Sequence, residues 1–585
     1  MLVQEYLSTG QCQTVPRSTA HTSPLMPSSP SLSEALPELP PGSNETLQSP
    51  SAAHHLEDHP EHEAEPTWKG PAPWWLMALT SFNRIIWGLT FMARLRLYSQ
   101  LLQVHGTGGV IQNTRPFFEP YLAEKNAHLI HSSRDNPVQA FMVIDLLTIS
   151  FLVTEILTLL TLAWWGSFSD RHGRKRMLGI ASLAQLLSCL MVLIIANYIQ
   201  VLPGAYWFLI FDIIILGALG GTESEFVTVL AYLSDVSMAE KRSRLFTVVL
   251  GMVWAGSSIG VKLGDFVLRK TSSLLWVFYT AAALRIIHAC LVWFILPESL
   301  TREQMHRTTV AHQETHLSTT DEPLPLLWFK RLFFFLKPLS MLFPEKVSPA
   351  NSPVRRDWSL TILVAASATM VLVSSPLAVF QWFYALHKFG WEKLSNYIPL
   401  ISNARIISLV LILPLAFKFA QKRWTRSDLI RAQTSEREPL LSTAPDVSIT
   451  SLFDLGVARL SVLVIIATYL ILPLAPTETI FTLFSVLQTL GAGFYPVTNS
   501  LAFELYTGGI KRNGLVESGK FFATLHLVFI VVPILGELTY DFIYSATSNT
   551  YPGAVFFVGF GNTVIVFVLL VFVGMKPAPR RGSLA

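Results

Sequence analysis

Gly166-Ser-Phe-Ser-Asp170-Arg171-His-Gly173-Arg174-Lys175-Arg176 lies between two long apolar runs, Val138 to Trp165 and Met177 to Ile199. Each run is long enough to cross a bilayer as a helix, because about 20 apolar residues span the hydrocarbon core. The eleven residues between them therefore read as a tight hairpin at a membrane surface. Four of the eleven are Arg or Lys. That surface is expected to be cytosolic, since short cytosolic loops retain basic residues. Gly166 and Gly173 let the chain turn closely, while Asp170 can cap a helix start or pair with the arginines.

The pattern G-x-x-x-D-R-x-G-R-K-R resembles the loop between the second and third helices of the major facilitator superfamily. The resemblance implies two six-helix halves around a central site lined chiefly by helices one, four, seven and ten. It also implies that an acidic residue after the fourth helix pairs with the arginines of the first hairpin. Asp235, in Ala231-Tyr-Leu-Ser-Asp235-Val-Ser-Met-Ala-Glu240-Lys241-Arg242-Ser-Arg244, is the natural partner for Arg171 or Arg174. Gly166, Asp170, Arg171, Gly173, Arg174 and Asp235 thus form the expected cytosolic latch. The second hairpin also looks loosely like the branch of the proton-coupled folate transporter and its fungal relatives.

Composition agrees with a membrane protein. Of 585 residues, 51% are hydrophobic and 14% charged, and the mean hydropathy is +0.44, far too apolar for a soluble chain of this size. The net charge of +4 reads as loop charge and not as a nucleic-acid footprint. Cys12, Cys189 and Cys290 offer neither a disulfide framework nor metal-ligand spacing, and no cofactor or enzyme motif stands out.

Working outward, hydropathy predicts an all-α membrane protein of twelve transmembrane helices in two six-helix halves, both termini cytosolic. Residues 1–72 read as a disordered cytosolic tail, 73–298 as the first half and 299–357 as a cytosolic central loop. Residues 358–575 read as the second half, interrupted by a disordered cytosolic insert at 421–455, and 576–585 as a short tail. The hairpin after span eight, Phe417-Lys-Phe-Ala-Gln-Lys422-Arg423, keeps charge but lacks the Gly and Asp of the first. In the insert, Glu436-Arg-Glu-Pro-Leu440-Leu441 fits the acidic dileucine pattern read by sorting adaptors. That pattern sets a vacuolar or endosomal membrane beside the plasma membrane as the address.

Charges within the spans carry the functional reading. Near mid-depth stand Glu155, Glu223 and Glu225, the arginines Arg84, Arg285 and Arg405, and His526. Each would cost roughly 2.5–3.5 kcal/mol if unpaired at the bilayer centre, so together they must face one another or water. Acids and arginines balance, which fits a set of structural ion pairs. Asp212 and Glu223, eleven apart, are expected to share a face of span four, and Glu225 points about 200° from Glu223. Glu223 is therefore the first proton-carrier candidate, followed by Glu155 and His526, with Glu225 a structural partner. Gln488 and Asn499 share a face of span ten and join Arg84 and Arg405 as substrate candidates. Span three, almost free of charge, is expected to face lipid. Gly256, Gly260 and Gly264 form a small-residue stripe for close helix packing.

These features favour transport of a small solute by alternating access, coupled to protons, because a mid-membrane carboxylate changes charge when protonated. An uncoupled uniporter is the alternative within the class, and a non-transporting nutrient receptor the alternative outside it. The expected partners are a small-molecule substrate, protons, the lipid bilayer and sorting adaptors.

Overall fold

The computed structural model describes residues 72–105, 137–198, 205–317, 334–344, 358–389, 397–419, 447–510, 515–547 and 550–573. Among these residues every regular element is helical, and twelve helices are long and apolar enough to cross a membrane. Spans one to six are Pro73–Tyr98, Leu152–His172, Arg174–Asn197, Leu209–Val236, Ala239–Thr271 and Leu274–Ile295. Spans seven to twelve are Ser359–Trp382, Pro399–Phe419, Ser451–Leu474, Glu478–Gly508, Ser518–Thr547 and Ala554–Phe572. Large apolar side chains such as Phe294 (82% exposed) and Phe542 (76% exposed) point outward, which lipid tolerates and water does not.

Within the first half, spans one and five pack most intimately. A Cβ at Gly256 would meet the Ser81 carbonyl oxygen, one at Gly260 that of Ile85, and one at Gly264 that of Leu89. The glycine stripe therefore brings two backbones into contact, as small-residue stripes do in membranes. The halves meet through spans two and four against eleven, and through span five against eight and ten.

Two spans are interrupted at matching positions of the two halves. Span four is a helix over Ala205–Ala218, a turn, and a second helix over Gly221–Val236. Gly220 (φ 90°) and Gly221 (φ 51°) make that turn in left-handed backbone that a side chain would strain. Span ten runs from an α-helix at Glu478–Gln488 through a 3₁₀ stretch at Thr489–Gly493 into a second α-helix at Phe494–Ile510. The Ser408 hydroxyl of span eight donates to the Thr489 carbonyl at 3.1 Å, satisfying backbone that the tighter helix leaves short of partners. Broken helices in corresponding places of two repeats point to the binding region of a transporter.

The break in span four overturns the expectation that Asp212 and Glu223 share a face, because eleven-residue spacing has that meaning only along one unbroken helix. Asp212 pairs with Arg94 at 3.2 Å, whereas Glu223 sits in the first turn of the second helix. Span three turns Leu183, Leu187, Leu190 and Ile194 outward, as expected of a lipid-facing helix, but its opposite face is polar. Its Gln185 and Ser188 are buried and bonded to spans one, four and six. The central segment contains a helix at Arg302–Leu317 and a 3₁₀ helix at Phe334–Leu342. The ninth span's helix starts at Val447, inside the stretch read as the 421–455 insert. Residues 1–71, the dileucine residues Glu436, Leu440 and Leu441, and 574–585 lie outside the described residues.

Candidate functional site

Three clusters are built from the polar residues, the first at the face bearing the basic hairpins. Asp170 ends span two and directs its carboxylate at the start of span eleven, where the first backbone N–H groups of a helix lack internal partners. Gly519 N–H donates to one oxygen at 2.9 Å and Lys520 N–H to the other at 2.8 Å. A carboxylate there also meets the positive end of the helix dipole. Arg174, buried completely, bonds Asp170 at 2.7 Å and, through Nε, Asp235 at 2.9 Å. It donates further to Ser169 Oγ at 2.6 Å and Ser518 Oγ at 2.5 Å, and Ser518 in turn donates to Asp235 at 2.7 Å. The cluster thus joins the first half to the second.

Close approach makes that junction possible. A Cβ on Gly519 would strike Arg174 Nη1 and Ser169 Oγ, and one on Gly166 would lie 2.7 Å from the Gly519 carbonyl oxygen. Gly173 (φ 98°) precedes span three, and the Glu298 carboxylate fills the place its Cβ would take. Glu298 accepts from the N–H of Arg174 at 2.8 Å and of Lys175 at 3.1 Å. Arg171 stands outside the cluster: its Nε donates to the Ser167 carbonyl one turn back, at 3.1 Å. Asp235 therefore has Arg174, and not Arg171, as its partner.

The second cluster is a buried network within the first half. Asn83 Nδ2 donates to both Glu225 oxygens, at 2.5 and 2.6 Å, and Gln185 Nε2 to one of them at 2.6 Å. Arg285 Nη1 donates to Asn83 Oδ1 and Gln185 Oε1. Cation and anion are thus joined through two amides from spans one and three, and Glu225 is occupied structurally.

The third cluster lies between the halves. His526 Nδ1 of span eleven lies 3.5 Å from Glu223 Oε2 of span four, an ion pair whenever the imidazole is protonated. Glu155 lies close enough to repel Glu223 electrostatically, and Arg84 close enough to attract it. His526 also lines a cavity of about 720 Å³, together with Arg405, Gln488 and Asn499. The other walls come from spans four, five, seven and nine and include Trp254 and Trp382, and span ten adds Tyr495. Span one, expected to line the centre, contributes none of the lining residues, because its inner face is packed against span five and the Glu225 network. The seven proton and substrate candidates therefore fall into two adjoining groups, Glu223, Glu155, Arg84 and His526 in one, and Arg405, Gln488, Asn499 and His526 in the other. His526 belongs to both.

Sequence reasoning missed Glu298, Ser169, Ser518, Gly519, Asn83 and Gln185. Only Glu298 carried a local signal, as an acid directly after the Leu296-Pro297 end of span six. The others are neutral residues whose meaning arises from partners 100 or more positions away, except for the Ser169–Arg174 and Gln185–Glu225 contacts. Among the described residues no group of three or more His, Cys, Asp or Glu is arranged to hold a metal.

Comparisons with known proteins fit this geometry. The family model described as the Major Facilitator Superfamily matches residues 111–430. An uncharacterised membrane protein of Schizosaccharomyces pombe is 23% identical over 465 residues, covering 73% of this chain and 70% of its own. The MFS-type transporter avaJ of Aspergillus versicolor is 24% identical over 420 residues, covering 70% and 73%. The crystal structure of the human organic anion transporter MFSD10 superposes with a TM-score of 0.57 at 16% identity, covering 86% of this chain and 100% of that one, a likeness of fold.

Proposed function

Because the chain belongs to the major facilitator superfamily, we propose that it is a secondary active transporter that moves a small solute by alternating access and couples that movement to protons. One observation carries the coupling: Glu223 of the first half meets His526 of the second at 3.5 Å, beside the cavity between the halves. An ion pair between two bodies holds them together only while the carboxylate is ionised and the imidazole protonated. A proton arriving on Glu223 removes the attraction, and proton occupancy then biases one arrangement of the halves over another. Glu155 and Arg84, whose charges act on Glu223, tune when that proton arrives.

The hairpin face is taken as cytosolic from its Lys and Arg, and Asp170, Arg174 and Asp235 act there as the latch. The membrane it serves is the plasma membrane or a vacuolar or endosomal one. Proteoliposomes with an imposed pH gradient test the reading, screened with organic acids, sugars and amines. The wild type should concentrate at least one solute. Glu223→Gln, which mimics the protonated form, should lose gradient-driven accumulation yet keep solute exchange without a gradient. Accumulation by Glu223→Gln at the wild-type rate would reduce the protein to a carrier whose charges are structural.

A further inference from the structure

Arg405 is the one mid-depth arginine that the other charges do not answer. Arg285 is tied to Glu225 through two amides, and Arg84 lies in the field of Glu223. Arg405 has no carboxylate within ion-pairing distance among the described residues, and the polar groups acting on it include the phenols of Tyr469 and Tyr495. Its guanidinium lies 4.8 Å over the Trp254 ring, and its Nε is buried without a hydrogen-bond partner.

Cation–π stacking offsets part of the cost of a charge near mid-membrane but leaves it without a countercharge. Water in the adjoining cavity can solvate that charge, and an anion bound there would neutralise it. That cavity, about 720 Å³, has the size of a small-molecule site. Among the described residues no Asp or Glu lines it, and Arg405 and His526 are the cationic or potentially cationic groups that do.

Resting on the transporter reading above, we infer that the cavity binds a monovalent organic anion with a flat apolar body, its acid group held by Arg405. A guanidinium lying on an indole offers its edge, and that edge matches a carboxylate or sulfonate with two parallel N–H bonds. The body of the ligand meets Trp382, Tyr495 and Phe529, aromatic faces suited to stacking. Gln488 and Asn499, with hydroxyls such as those of Ser375 and Ser402, are placed to orient further polar groups of the ligand. A sugar would leave Arg405 without a countercharge, and an organic cation would meet Arg405 head on. A polyphosphate carries more charge than one arginine answers.

The full-length chain in lipid nanodiscs tests this by binding alone, without transport. The probes are 1-naphthoate, naphthalene-1-sulfonate and, as a near-isostere of opposite charge, 1-naphthylmethylammonium, read by quenching of tryptophan fluorescence and by thermal shift. The two acids should bind and the amine should not. Arg405→Gln should weaken acid binding about tenfold or more, the loss expected of a charge-assisted contact, and Arg405→Lys should keep part of it. Equal binding of the amine overturns the inference, as does failure of both acids at about 1 mM, an affinity worth only about 4 kcal/mol. Unchanged acid binding by a correctly folded Arg405→Gln overturns it equally. The wild-type comparison stands even where that variant fails to fold. Arg405-dependent binding without accumulation in proteoliposomes would sink the transport reading and leave the site. Accumulation of some other solute with neither acid bound would do the reverse.

Discussion

Asn83 and Gln185 do for Arg285 and Glu225 what a direct ion pair does elsewhere. Each amide accepts from the cation through its oxygen and donates to the anion through its nitrogen, so both charges are solvated by dipoles that polarise in the same sense. Such a network is strong only while complete. Arg285→Ala would leave Glu225 buried and two amide oxygens unanswered, and breaking a buried charge pair from one side costs about 3–5 kcal/mol. The melting temperature of the detergent-purified variant should fall well below wild type. Adding Glu225→Gln should recover part of the loss, since no net charge then remains to be neutralised. A single variant that melts with the wild type would show that the network contributes little. The sequence alone showed three acids against three arginines, and pairing by number was the natural inference. It failed because neutral side chains carry the charge between partners, and because Gln185 lay on a span whose lack of charge suggested lipid.

Among the elements, long apolar runs were legible: the helices sit close to where hydropathy puts them, and both basic hairpins fall between spans. The face assignments were legible only as far as each helix stays regular. Within Gly221–Val236 the opposition of Glu223 and Glu225 holds, and the two acids turn to His526 and to Asn83. Across Gly220 and Gly221 periodicity loses its meaning, and two adjacent glycines near mid-span were the available sign of a break. Gly220→Ala should therefore cost about 1–2 kcal/mol from left-handed backbone alone. The added Cβ also lies 2.9 Å from Ser224 on the turn that positions Glu223. Gly508→Ala, at an exposed helical site with open space around it, is the control and should change stability by less than about 1 kcal/mol, in the favourable direction. Thermal melting of the two variants side by side checks the difference. Equal melting would mean that span four accommodates a side chain at the break.

For the molecule as a whole, the hairpin face is held by two unlike devices. On one side the first half supplies Asp170, Arg174 and Asp235 and clasps the bare N–H groups of span eleven. On the other, the second-half hairpin lacks the Gly and Asp, and the first half again supplies the cation. Arg242, at the start of span five, stacks over Phe503 at 4.8 Å and is drawn to Glu504 and Asp454 of spans ten and nine. The internal repeat is thus kept in architecture and abandoned in chemistry, which is why a search for a second copy of the motif finds none. Asp170 is the vulnerable point of this arrangement, since one buried carboxylate answers two backbone donors and an arginine together. In Asp170→Asn one acceptor becomes a donor facing a backbone N–H, and Arg174 keeps Asp235 as its one carboxylate partner among the described residues. A lost charge-assisted contact of about 1–3 kcal/mol shifts a two-state equilibrium roughly five- to 150-fold. Spin labels at the exposed positions Arg176 and Val516, one on each half of the hairpin face, report the separation. The wild type should show one narrow short-distance population, and Asp170→Asn should add a longer one at its expense. Asp170→Glu, which keeps the charge but lengthens the side chain against the close Gly166–Gly519 approach, should fall between them. Identical distance distributions in all three proteins would mean that the halves are held shut by packing and not by this carboxylate.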